Sequence, residues 1–251
     1  MMGGNDQQAY DRGTSLFSPD GRIYQVEYAR EAVSRGAPSV GVRTTDGVVF
    51  VAMSRASSTL MEAESIEKLH KLDDHLGTAS AGHVADARQL IDLARRQSQG
   101  NRLRYGEPVG VETLFVTDHI QENTQRGGTR PYGAALLIGG IDNGEPRLFA
   151  ADPSGTPNEW KATVIGGGRQ TIQEHLEDEW SEDLSLREGV ELGIAALAAH
   201  EDDLDPSDLA VATITAEDGY RTVPGGEVTE AFEAAGLADD AADDDVAGDE
   251  E

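Results

Sequence analysis

Hydrophobic residues fall along this chain in blocks whose spacing alternates between that of helices and that of strands. Ile23, Val26, Ala29 and Val33, with Tyr28 as a weaker member, recur at separations of three and four, the period that lines up one helical face. Gly36-Ala37-Pro38 stops that pattern. Two runs rich in β-branched residues follow at 39–45 and 48–54, joined across Thr45-Asp46-Gly47, where Asp-Gly is a strong hairpin signal. Residues 65–72 and 76–81 form a weaker second pair. From 84 to about 99, Val84, Ala87, Leu90, Ile91 and Ala94 make one helical stripe, ending at polar Gly100-Asn101. A second helix is predicted over 109–125, with Val111, Leu114, Phe115 and Ile120 inward. Strand patterns return at 133–141, 147–151 and 159–165, punctuated by Asp142-Asn143-Gly144 and Asp152-Pro153-Ser154-Gly155. Helices at 170–180 and 186–200 and a strand at 209–215 complete the order. Two packed sheets with helices outside each would bury every stripe, and no break in composition divides residues 10–236.

Charge changes the setting more than the fold. Against 47 Asp and Glu stand 20 Lys and Arg, a net charge of −27, and Lys occurs only at 68, 71 and 161. A phosphate backbone needs clustered cations, so a nucleic-acid partner is not expected. The absence of Cys excludes disulfides, thiolate zinc sites and cysteine nucleophiles. No apolar run approaches the ~18 residues of a membrane span, and residues 1–20 lack the basic start and apolar stretch of a signal peptide. A cytoplasmic protein without a membrane partner is expected. Residues 238–251 hold eight acids, no base and only Val246 as a sizeable apolar side chain, the composition of a disordered tail. The remaining charge is dispersed, as suits a salt-rich cytoplasm that screens it, or simply an acidic surface.

Several features invite a chemical reading and admit a plainer one. Asp73-Asp74 could be a carboxylate pair, but neighbours on an extended chain point apart, which favours a solvated turn. The six His include no pair at helical metal spacing with an acid between, and no cofactor is expected. Gly166-Gly167-Gly168 lies between strand and helix as a phosphate loop would, yet lacks the Lys-Ser/Thr of one, so close packing is the preferred reading. Trp160 and Trp180 are read as packing residues.

The stretch Tyr10-Asp11-Arg12, followed by Phe17-Ser18-Pro19-Asp20-Gly21-Arg22-Ile23-Tyr24-Gln25-Val26-Glu27-Tyr28-Ala29, closely resembles the N-terminal signature of α subunits of the 20S proteasome. Ser65-Ile66-Glu67-Lys68, Gly82-His83-Val84-Ala85-Asp86-Ala87-Arg88, Arg130-Pro131-Tyr132-Gly133, Asp152-Pro153-Ser154-Gly155 and Trp160-Lys161-Ala162 agree in order. The likeness covers about residues 7–235 and is to archaeal chains of salt-adapted hosts. It implies an α+β fold, a four-layer α-β-β-α sandwich of the N-terminal nucleophile hydrolase type. Fold does not give activity. Active β relatives open their first strand with a Thr exposed by processing, whereas this strand opens with Ala37-Pro38-Ser39. Gly13-Thr14 imitates a processing site, but a turn and a helix follow it where a strand should. An autonomous hydrolase is therefore the rival reading, and a non-catalytic subunit the preferred one.

The resemblance further implies a heptameric ring that caps β subunits, admits unfolded protein substrates and docks a hexameric AAA ATPase activator with a hydrophobic-Tyr-X C-terminus. Residues 1–13 would be a gate segment, 14–236 the α-type domain and 237–251 the acidic tail. Tyr10, Asp11 and Arg12 would form the gate's hinge, with Pro19 and Tyr28 holding its turn; a helix-capping role is the alternative. The helix from Gly21 to Arg35 would assemble the ring, with Arg22, Arg30 and Arg35 facing acidic neighbours or solvent. Lys68 would seat the activator's carboxylate, with Glu27 as its partner and Gly36, Gly82 and His83 shaping the pocket, His83 standing where an apolar residue is usual. Arg126, Gly127, Gly128 and Thr129 match the entrance annulus, where Arg126 replaces an expected aromatic and would make a cationic collar.

Overall fold

A computed structural model describes residues 17–56, 58–62, 65–111 and 116–237. The signature helix forms as α1 (Tyr24–Ser34), burying Val26, Ala29 and Val33 along one stripe. The chain then enters β1 (Ser39–Arg43) and β2 (Gly47–Met53), joined at the expected Asp46-Gly47 turn. β3 (Leu69–Asp73), β4 (Leu76–Gly82), α2 (Val84–Tyr105) and α3 (Val116–Gln125) follow. Next come β5 (Ala134–Asp142), β6 (Glu145–Ala151), β7 (Pro157–Glu159) and β8 (Ala162–Ile165). α4 (Arg169–Glu179), α5 (Leu186–Ala198), β9 (Leu209–Thr215), β10 (Gly219–Thr222) and α6 (Gly225–Ala234) end the described chain.

Two antiparallel five-stranded sheets result, ordered β10-β9-β2-β1-β8 and β3-β4-β5-β6-β7. Between them Val48, Phe50, Ala79, Leu137, Leu148 and Ile214 form the central core. Side chains alternate along a strand, so Val49 and Val51 of β2 face the other way, onto Ile172, Val190, Ile194 and Leu197 beneath α4 and α5. β2 is covered on both faces and reads as one apolar run. On the far side Leu76, Leu136 and Ile138 pack against Leu90, Ile91 and Ala94 of α2 and Val116 and Ile120 of α3. This is the expected α-β-β-α order. α1 packs on β4 and β5, and its Val33 plugs the inter-sheet core.

The structure departs from the expected elements at several places, among them β3, which begins at Leu69 rather than at 65. α2 continues past Gly100-Asn101 to Tyr105, because Asp73 accepts from Ser98 at 2.6 Å and pairs with Arg102 at 2.8 Å, anchoring its polar last turns. α3 is described from Val116 onward, while buried Val109 and Val111 lie outside any helix, and 112–115, with Leu114 and Phe115, lie outside the described residues. The single strand expected at 159–165 is two, β7 in one sheet and β8 in the other, with Trp160 and Lys161 crossing between them. The hairpin partner β10 and the helix α6 are not among the expected elements, although Val228, Ala231 and Phe232 of α6 fall at helical spacing.

Candidate functional site

Where α1 gives way to β1, Lys68 comes in from the residue before β3. Its Nζ donates to the carbonyl oxygens of Ala37 at 2.5 Å and Pro38 at 3.0 Å. Burial disfavours the charged amine and lowers its pKa from the ordinary 10.5 to about 7. Lys68 opens into a cavity of about 350 Å³ whose walls mix apolar Met53, Met61 and Val84 with charged Arg55, Glu67 and Arg88. Beside it the Ser39 hydroxyl donates to the Ser80 carbonyl at 3.0 Å. Ser39 is joined to Pro38 by a peptide bond, so this strand start offers no free amine to activate a hydroxyl. A cationic seat beside apolar side chains can instead hold a carboxylate.

The predicted docking residues divide into two groups. Gly82 shares the Lys68 cavity. Gly36 lies back to back with it: a Cβ on Gly36 would stand 2.5 Å from the Gly82 amide nitrogen. Gly82 itself has φ +96°, and a side chain there would strike the Gly133 carbonyl. His83 is exposed at the start of α2, with Nδ1 3.6 Å from Asp86. Glu27 is not with them. It pairs with Arg30 at 2.9 Å and lines a separate depression of about 410 Å³ with Val33, Asp152, Trp160 and Arg169. The expected Lys68–Glu27 partnership is thus not made within one chain.

Of the gate residues, Tyr10, Asp11 and Arg12, with all of 1–13, lie outside the described residues, as do Thr14 and the tail from 238. Pro19 sits in a tight turn closed by the Ser18 amide on the Arg22 carbonyl and the Gly21 amide on the Ser18 carbonyl, each at 2.8 Å. Tyr28 is half exposed on α1. Two of the three basic residues expected to face neighbours are met by their own chain: Arg30 by Asp152 at 2.7 Å as well as Glu27, and Arg35 by Glu31 at 3.2 Å.

The annulus stretch follows α3 directly. Thr129 donates its hydroxyl to the carbonyls of Asn123 and Arg126 at 2.9 and 2.8 Å, closing a turn through exposed Gly127 and Gly128. Arg126 pairs with Glu122 one helical turn back at 3.1 Å, and both are exposed. The expected cationic collar is therefore partly neutralised by its own helix.

Sequence reasoning assigned no role to Asp86 and Arg130, although both lie in motifs that carried the resemblance. Burial would raise the Asp86 carboxyl, but hydrogen bonds from Arg130 and the Gly133 amide hold it below the ordinary range. The plainer readings fit elsewhere. Gly167 donates its amide to the Gly36 carbonyl at 2.8 Å, so the glycine run packs on the α1 exit. Asp74 pairs with Lys71 at 2.7 Å, and Trp180 donates Nε1 to the Arg43 carbonyl at 3.0 Å. Among the described residues no His, Asp or Glu cluster could hold a metal, and no helix is long and apolar enough to cross a membrane.

Two helix-flanked antiparallel sheets with a Lys at the head of β1 define an N-terminal nucleophile hydrolase-type sandwich whose first strand begins inside the chain. The family described as "Proteasome subunit" matches residues 33–214, and the N-terminal signature of A-type proteasome subunits matches residues 10–32. The proteasome alpha 2 subunit of Haloferax volcanii is 62% identical over 244 residues, covering 96% of this chain and 97% of that one. The proteasome alpha 1 subunit of the same organism is 64% identical over 220 residues, 86% of this chain and 87% of its own. The proteasome alpha subunit of Natronomonas pharaonis is 58% identical over 252 residues, 98% and 99% of the two chains. The chain belongs to the proteasome subunit family, to the α type found in halophilic archaea. As an α-type chain it is a non-catalytic subunit, catalysis falling to β subunits.

Proposed function

We propose that this chain forms the outer heptameric ring of a cytoplasmic 20S core particle, gates the passage of unfolded substrates to the β subunits and docks a hexameric AAA ATPase. Residues 1–13 are the gate segment, 14–236 the ring-forming domain and 237–251 an acidic tail. The observation that carries this reading is Lys68, held on the Ala37 and Pro38 carbonyls in the wall of a cavity that also carries Arg55, Arg88 and Glu67. In a protein of net charge −27 such a cation reverses the local potential and suits the terminal carboxylate of a hydrophobic-Tyr-X tail. A closed ring of heterologous contacts needs two different complementary surfaces on every protomer. Lys68 and Glu27 opening on separate depressions supports their being brought together from adjacent copies.

Co-assembly with a β partner tests the proposal. Negative-stain images should show sevenfold end views, and a threonine-directed covalent inhibitor should label the β chain alone. Labelling of this chain in isolation, or a mature chain that has lost residues 1–13 to expose Thr14, would favour the autonomous hydrolase instead.

A further inference from the structure

The first turn of α2 borders the Lys68 cavity through Val84, Ala87 and Arg88. From the same turn Asp86 points the other way, and its side chain is only 7% exposed. Both carboxylate oxygens are committed. Oδ1 accepts from Arg130 Nη2 at 2.8 Å, while Oδ2 accepts from Arg130 Nη1 at 2.5 Å and from the Gly133 amide at 2.8 Å. The His83 amide returns a bond to the Gly133 carbonyl at 2.8 Å. Arg130 is the foot of the loop Arg126–Thr129, and its own carbonyl accepts from Asn123 Nδ2 at 2.7 Å. Thr129 closes the loop onto Asn123.

One wall of the docking cavity and the base of the pore-side loop are thus joined by a two-pronged guanidinium–carboxylate contact. Its planar fork fixes orientation as well as distance. The carboxylate is shielded from solvent while the guanidinium is 60% exposed, so salt screens this link less than a pair exposed on both sides, such as Arg126–Glu122. A shift of the α2 first turn has to be followed by Arg130 or break the fork.

We propose that Asp86 is a positioning residue that transmits occupancy of the Lys68 cavity to the entrance loop Arg126–Thr129; this rests on the docking function proposed above. Asp86 touches neither tail nor substrate and acts through Arg130.

The experiment uses particles assembled with a β partner and carrying the wild-type chain, Asp86→Asn or Arg130→Lys, the last keeping the charge but losing the fork. The probe is a synthetic peptide with a hydrophobic-Tyr-X C-terminus and a free carboxylate. Its affinity is read by fluorescence anisotropy, and its effect by the fold-stimulation of fluorogenic peptide hydrolysis. Both variants are expected to bind the probe within about twofold of wild type while losing about fivefold or more of the stimulation, the lower range of ordinary site-to-site coupling. Wild-type stimulation in both variants overturns the proposal. So does a parallel loss of binding and stimulation, which would make Asp86 a builder of the cavity. If the probe fails to bind or stimulate the wild-type particle, the docking reading itself fails. Should Asp86→Asn not assemble, Arg130→Lys alone decides, by the same two readouts.

Discussion

The amine of Lys68 lies 3.0 Å from the carbonyl oxygen of Pro38, at the very start of the strand where catalytic relatives keep their nucleophile. Two of the ammonium's three N–H donors go to the Ala37 and Pro38 carbonyls, leaving one for a ligand, and its pKa falls from 10.5 to about 7 through burial. Below pH 7 it is a cation; well above, it must take up a proton before pairing with a carboxylate. The affinity of a carboxylate-ended tail should therefore fall as pH rises from 6 to 9, approaching tenfold per pH unit at the upper end. Lys68→Met should bind weakly with no such slope. Anisotropy titrations across that range check this, and a flat wild-type profile contradicts it.

The same shift has a stability consequence of definite sign. Between pH 7 and 10.5 the unfolded chain holds the Lys68 proton and the folded one does not, so this residue favours folding increasingly as pH rises through that window. Its burial is most unfavourable below pH 7. Lys68→Met should raise the thermal midpoint more at pH 6 than at pH 10, as calorimetry at the two pH values would record.

Gly36 and Gly82 bring the exit of α1 against the end of β4 with no room for a methyl group. Gly82→Ala combines a positive φ with a clash on the Gly133 backbone and should destabilise by about 1–3 kcal/mol. Gly100, inside α2 with open space around it, should respond oppositely, Ala adding roughly 0.5–1 kcal/mol. Denaturant melts of the two variants compare these signs directly.

Phe50 is fully buried between the sheets. Phe50→Ala should lose about 3–5 kcal/mol, since transfer and cavity terms add in a core that cannot collapse. A loss below about 1 kcal/mol in the same melts would mean that the sheets do not pack as described.

At the turn proposed to line the entrance, Glu122 tempers Arg126. Arg126→Tyr should slow degradation of acidic unfolded chains more than of neutral ones, and Glu122→Gln should favour the acidic ones. Degradation rates of matched acidic and neutral substrates in assembled particles test this; equal effects on both classes would remove any electrostatic role for the turn.

Sequence pattern made the four-layer order legible because each sheet and helix carries its own stripe and the Asp46-Gly47 hairpin fixes where the first pair begins. It failed where tertiary contacts override local signals. Asp73 draws α2 past Gly100, and a continuous strand-like run is divided at Trp160 because its two halves belong to different sheets. The short β10 is placed by its neighbour β9, and α6 buries only Val228, Ala231 and Phe232, too few apolar positions to mark it from sequence. Lys68, Gly36 and Gly82 are marked in sequence by motif alone, and close backbone approach explains both glycines. The Lys68–Glu27 pairing was not legible as a one-chain contact, since Arg30 takes Glu27. Asp86 and Arg130, forty-four positions apart, are visible as partners only once folded.

The central claim, that this chain shapes a doorway and leaves cleavage to its neighbours, is tested most directly by deleting residues 1–12 and measuring fluorogenic peptide hydrolysis by particles assembled with the β partner. Faster hydrolysis than the full-length particle, at unchanged ring assembly, is the predicted result; an unchanged rate would contradict gating and leave only a structural ring.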